Sequence, residues 1–119
     1  MTNELKIKVD EIDRKIILRL DGILDRSTAP RLETELTQYI DRGHAYILLD
    51  FTQVDYLSSA GLRVLLSATK KQHAKLIGQK AGHLIIFSLN DEMKEIIHQA
   101  GFDKVFRLCD GEKEALQVH

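Results

Sequence analysis

Tryptophan is absent from this chain, and cysteine and proline each occur once. A single cysteine, Cys109, excludes an internal disulfide and any metal site built from several thiolates, and it suits a reducing compartment. Its place at the end of an apolar run reads as a small buried hydrophobe rather than a reactive thiol. Net charge is nearly absent too. Seventeen Lys and Arg stand against 18 Asp and Glu, so no global field draws the chain to nucleic acid or an anionic membrane, and partners must be recognised locally. No run approaches the roughly 18 apolar residues of a membrane span. The first residues, MTNELKIKVDEID, are charged within four positions and lack the apolar centre of a signal peptide. The expected setting is the cytoplasm, with neither nucleic acid nor membrane as a direct partner. No GxxxxGK[ST] or GxGxxG phosphate loop occurs and the histidines lack zinc spacing, so no cofactor and no metal are expected. Internal repeats, low-complexity segments and long linkers are also missing.

What is present is one core's worth of apolar residues: 119 residues at 44% hydrophobic support a single domain over 1–119 and not two. In LKIKVDEIDRKIILRL, Leu5, Ile7 and Val9 alternate, the polar stretch 10–13 interrupts, and Ile16, Leu18 and Leu20 resume. That pattern predicts an antiparallel hairpin. In DGILDRSTAPRLETELTQYIDRG, Ser27 or Thr28 is placed to cap a helix with Pro30 in its first turn, Leu32, Leu36 and Ile40 on one face, and Gly43 at its end. AYILLDF, residues 45–51, is a near-continuous apolar run, as expected of a strand covered on both faces. A helix follows from the serine pair, with Leu62, Leu65, Leu66 and Thr69 as its stripe and Arg63, Lys70 and Lys71 outward. HLIIFSL (83–89) predicts a fourth strand. NDEMKEIIHQAG predicts a helix capped by Asn90 or Asp91, with Met93, Ile96 and Ile97 inward. KVFRLC (104–109) predicts a short fifth strand, and GEKEALQ a last helical turn or two. Two strand-helix-strand units in series imply right-handed crossovers between parallel strands. The predicted fold is α/β: a mixed five-stranded sheet, mostly parallel with an N-terminal antiparallel hairpin, flanked by about four helices.

In open α/β sheets the functional crevice lies beyond the carboxyl ends of the parallel strands. Three loops meet that description here: DGILDRST, TQVDYLSS and SLND. They would place Asp25, Ser58, Ser59 and Asn90 along one edge. The pair Ser58-Ser59 in VDYLSSAGLRVLL has two readings. Serines at helix starts are ordinary caps. A helix start also tolerates a phosphate, because free amides and the positive end of the dipole favour negative charge there, and about −1.5 to −2 charges can switch an interface without unfolding the domain. Gly61 costs the helix about 0.5–1 kcal/mol relative to alanine, which is more easily kept where something approaches its backbone closely. Asp25 either contacts a partner or caps local amides.

The string VDYLSSAGLRVLL, with GILDRSTAPRLETEL before it and NDEMKEIIHQAGFDKVFRLCDGEKEAL after it, resembles the STAS domain family, specifically stand-alone bacterial anti-sigma factor antagonists, over residues 5–117. The resemblance implies a non-enzymatic regulator. In its unphosphorylated form it binds an anti-sigma factor that is also a serine kinase, which releases the sigma factor. The kinase phosphorylates a serine at the start of the second helix, and a metal-dependent phosphatase reverses this. Matching Gly61 and Leu62 to the family's Gly-Leu pair puts the phosphoacceptor on Ser59. Ser58 then stands where well-known members carry aspartate, and Ala60 replaces a small hydroxyl residue. The acceptor environment and partner surface would comprise Asp25, Ser58, Ala60, Gly61, Leu62, Arg63 and Asn90. KQHAKLIGQKAG, residues 71–82, is several residues longer than the family's usual helix end. Two rivals stand beside this reading. A hydrolase elbow wants glycine on both sides of Ser59 at a spacing of two, but the chain has Leu57 and Gly61. His83 and His98 are candidate bases only as histidines, one opening a strand and the other on the outer side of a helix. The second rival is an unphosphorylated STAS module that scaffolds a signalling complex or senses a small ligand or nucleotide, and Ser58 in place of aspartate keeps it open.

Overall fold

The structure, a computed structural model, describes residues 4–75 and 83–118. Its elements in chain order are β1 (Lys6–Ile12), β2 (Lys15–Leu24), α1 (Ala29–Asp41), β3 (Tyr46–Leu57), α2 (Ser59–Lys75), β4 (His83–Phe87), α3 (Asp91–Gln99), β5 (Arg107–Cys109) and α4 (Glu112–Leu116). The strands lie in the order β1-β2-β3-β4-β5, with β1 antiparallel to β2 and every other pair parallel. This is the mixed sheet predicted from the sequence.

Strand ends depart from expectation, and each departure has a local cause. The hairpin turn is not the whole polar stretch 10–13. Asp13 and Arg14 both adopt positive φ (51° and 68°), the two-residue geometry whose twist suits a hairpin, and Asp10 to Ile12 pair fully with Lys15 to Ile17. Strand β3 runs on from Phe51 to Leu57, through residues expected to form a crevice loop, because β2 accompanies it as far as Leu24 opposite Leu57. Phe51, Val54 and Leu57 face the core along that extension. Register shifts between Arg19 and Asp21 and between Gly22 and Ile23 bend β2 to follow. Gly22 has φ of 130°, and a Cβ there would lie 2.5 Å from the carbonyl oxygen of Glu4, so this crossing admits only glycine. Strand β4 stops at Phe87, where Ser88 takes φ of 62°. Strand β5 is shorter than 104–109, since the amides of Val105 and Phe106 both donate to the Phe102 carbonyl in a turn. Residues 76–82 of the long segment after α2 lie outside the described residues.

The two sheet faces are unequal. Ile16, Leu18 and Leu20, Ile47 and Leu49, and Leu84 and Ile86 pack under α1, α2 and α3, which contribute Leu32, Leu36, Leu62, Leu65, Met93 and Ile97. Ile96 is only half-buried at the margin of this core. The opposite face carries a smaller core of Ile17, Leu48, Ile85, Phe87 and Cys109 under α4. Cys109 is buried there, and desolvation pushes its thiol up, consistent with a hydrophobic role. Beside this core Arg19 on β2 reaches three carboxylates: Asp10 at 2.6 Å, Asp50 at 3.0 Å and Glu112 at 2.6 Å. One guanidinium thereby ties β1, β3 and α4 to β2. Its hydrogen bonds hold the Asp10 carboxyl below the usual carboxylate range.

Candidate functional site

A single residue, Ser58, joins β3 to α2. Its amide donates to the carbonyl of Leu24 at 2.8 Å, which binds the end of β3 to the end of β2. Its hydroxyl accepts the Gly61 amide at 3.3 Å, and its carbonyl accepts the Leu62 amide at 3.1 Å, the first helical bond. Ser58 is therefore the helix cap. Ser59 is the first helical residue and is exposed, and its hydroxyl makes no hydrogen bond among the described residues. The two serines are physically different, one committed to the backbone and the other presented to solvent.

The register of that serine is set from below. Leu62 is buried, and Gly61 sits so close to the strand ends that a Cβ would lie 2.8 Å from Leu57 Cδ1, 3.2 Å from Leu24 Cβ and 3.3 Å from the Leu24 carbonyl. The close approach at this glycine is thus internal to the fold. Gly61→Ala is expected to lower stability by about 1 kcal/mol in urea unfolding, the overpacking cost of about 1–3 kcal/mol less the helix-propensity gain of alanine. An unchanged or higher midpoint would show that the strand ends yield freely.

Asp25 closes the neighbouring turn. Its Oδ1 accepts from the Ser27 amide at 2.9 Å, the Ser27 hydroxyl at 2.7 Å and the Thr28 amide at 3.1 Å. Led by the Ser27 hydroxyl, these bonds hold the carboxyl below its ordinary range. The start of α1 is therefore organised by Asp25, and not by a Ser27 or Thr28 cap. Thr28 occupies the cap position without a capping bond, and its hydroxyl instead donates to the Ile23 carbonyl at 2.7 Å and accepts the Asp25 amide at 3.0 Å.

Asp25, Ser58, Ser59, Ala60 and Arg63 line one open pocket, together with Arg26 and Tyr56. Asn90 does not join them. It caps α3, its side chain accepting the Met93 amide at 2.8 Å. The sheet edge is stepped, since β3 continues from Asp50, opposite the last residue of β4, on to Leu57. Among the described residues no histidine lines this pocket. Tyr56, 49% exposed, and Arg26 are the residues that sequence reasoning missed. Strand alternation through VDYL would have put Tyr56 on the same face as Val54, so its exposure follows from the irregular β3 extension, and nothing in the sequence placed Arg26 across from α2.

Comparison with known proteins agrees with this architecture. A family model described as STAS domain matches residues 6–115. The Bordetella bronchiseptica protein BtrV, provisionally named an anti-sigma factor antagonist, is 33% identical over 111 residues, covering 93% of this chain and 91% of its own. The crystal structure of an anti-sigma factor antagonist from Mycobacterium paratuberculosis superposes with a TM-score of 0.85 at 23% identity, covering 98% and 94% of the two chains. SpoIIAA from Bacillus in its phosphorylated form superposes with a TM-score of 0.69 at 18% identity, covering 93% and 96%.

Proposed function

The chain belongs to the STAS domain family, and we propose that it is an anti-sigma factor antagonist switched by phosphorylation of Ser59. In this reading the unphosphorylated form binds an anti-sigma factor that is also a serine kinase and so frees the sigma factor. The kinase then transfers the γ-phosphoryl of ATP to Ser59 Oγ. The bond from phosphorus to the β-γ bridging oxygen breaks, the new P–O bond forms, the hydroxyl proton leaves to the kinase's base or to solvent, and ADP departs. The added charge ends the complex, and a metal-dependent phosphatase restores the serine. The relatives' names as anti-sigma factor antagonists support the first half of this proposal.

The observation that carries the second half is the division of labour between the serines. Ser59 is exposed and unbonded at the start of α2, so a kinase can take its hydroxyl without disturbing the fold, while Ser58 retains the cap. A serine caps as an aspartate does, so the helix start survives the replacement at position 58. What is lost is one negative charge beside the acceptor.

Incubating the protein with its anti-sigma kinase and ATP, then mapping added phosphate by mass spectrometry, tests the proposal. One phosphate per chain on the peptide containing Ser59, absent from Ser59→Ala, is the expected result. A kinase that binds the protein yet transfers nothing would overturn the phospho-switch and leave a scaffolding module.

A further inference from the structure

We propose that Arg63 and Arg26 form a clamp that holds the phosphate on Ser59, so that the modified protein is locked by its own cationic side chains. This rests on the reading of Ser59 as phosphoacceptor and adds what happens to the phosphate after transfer. Arg63 follows Ser59 by four residues on α2. Residues at that spacing stand one above the other, with Cβ atoms about 5–6 Å apart, and an anion preceding a cation by four is the favoured order. Helical side chains also lean toward the N-terminus, a direction that lets the long Arg63 side chain reach toward Ser59.

Arg26 approaches from the other wall. It sits in the turn fixed by the Asp25 carboxylate, two residues after Leu24, whose carbonyl accepts the Ser58 amide. Both arginines are exposed and line the same pocket as Ser59, and among the described residues neither guanidinium forms a hydrogen bond or ion pair. Among the described residues lining the pocket Asp25 is the one acid, and its Oδ1 is already engaged by Ser27 and Thr28. Two positive charges against one negative leave the pocket net cationic before modification. A guanidinium presents a planar fork of donors that matches phosphate oxygens, so this pair suits a phosphate monoester better than a single carboxylate. Serine at position 58, in place of an acid, removes the nearest charge that would oppose such a clamp.

The test uses full-length protein carrying phosphoserine at position 59, installed by genetic code expansion so that kinase competence is not required. A phosphorus NMR titration reads the second ionisation of the phosphate, which lies near pH 6 when unperturbed. The parent is expected to ionise at least about half a unit lower than the Arg26→Ala/Arg63→Ala double variant, with the difference shrinking in 1 M salt. Arg63→Lys should retain part of the shift. Superimposable titrations of the parent and the double variant would overturn the clamp. Both arginines are exposed and unbonded, so unphosphorylated variants should melt with the parent, which separates the result from misfolding. Transfer by the kinase is read in its own assay, so the clamp and the phosphoacceptor role can fail independently.

Discussion

Ser59→Glu is expected to weaken binding to the anti-sigma kinase by roughly tenfold or more while leaving thermal stability almost unchanged. The stability half follows from the side chain's surroundings. Ser59 is exposed and its hydroxyl makes no hydrogen bond among the described residues, and exposed substitutions of this kind usually stay within about 0.5 kcal/mol. A carboxylate in the first turn is in addition favoured by the helix dipole by about 0.3–1 kcal/mol. The binding half follows from desolvation. A charge carried into an interface where the partner offers no cation must be stripped of water together with the arginines beside it, and such losses cost roughly 2–5 kcal/mol, about 30-fold to several-thousand-fold in affinity. Glutamate carries one charge where phosphate carries about −1.5 to −2, which sets tenfold as the floor. Ser59→Ala should bind like the parent and accept no phosphate. Calorimetric titration against the kinase, with melting curves on the same samples, measures both halves. Normal binding by Ser59→Glu and by the phosphorylated protein together would remove the switch.

Arg19→Met is expected to cause the largest stability loss of the single changes considered, about 1–3 kcal/mol at neutral pH. Removing one partner of a buried ion pair costs about 3–5 kcal/mol, and partial solvent exposure reduces that figure here. Arg19 itself is 27% exposed and Asp50 only 14%. Without the guanidinium, carboxylates from β1, β3 and α4 are left together without the cation they share. The sign of the pH dependence distinguishes this from simple loss of packing. The Asp10 carboxyl is depressed by its Arg19 hydrogen bond, so its stabilising contribution is present above the unfolded carboxylate value near 4 and is lost as pH falls through the depressed value. In the variant the repulsion is relieved as the same acids are protonated. The gap between parent and variant should therefore be widest near pH 7 and narrow below about pH 4. A gap of constant size from pH 3 to pH 7 would assign the loss to methylene packing alone.

Much of the site is legible in the sequence, and the parts that are not have physical causes. Short-range chemistry was readable: a serine pair before an apolar-periodic run, Pro30 in a first turn, and Asn90 three residues before Met93, whose amide its side chain accepts. The crevice loop after β3 is shorter than the sequence suggests, because polar residues such as Thr52, Gln53 and Asp55 resemble loop residues in one dimension. In the sheet they are the outward positions of a strand whose Phe51, Val54 and Leu57 point to the core. Asn90 was grouped with the serines on the assumption of a level sheet edge, and the stepped ends of β3 and β4 separate them.

The division of roles between Ser58 and Ser59 belongs to the tertiary structure. Either serine could cap a helix in isolation. The choice is made by the Ser58 amide bonding to Leu24 and by Gly61 pressing against Leu24 and Leu57, contacts that cross from one strand end to another. The gathering of Arg26, Tyr56 and Arg63 around Ser59 is of the same kind. By itself the sequence determined the order of elements, the one-domain α/β class, the core-facing residues and the family resemblance, because periodicity and capping act within a few residues along the chain. Which serine is exposed, and which charges surround it, depended on strand register and stagger between segments more than thirty residues apart, which only the folded chain settles.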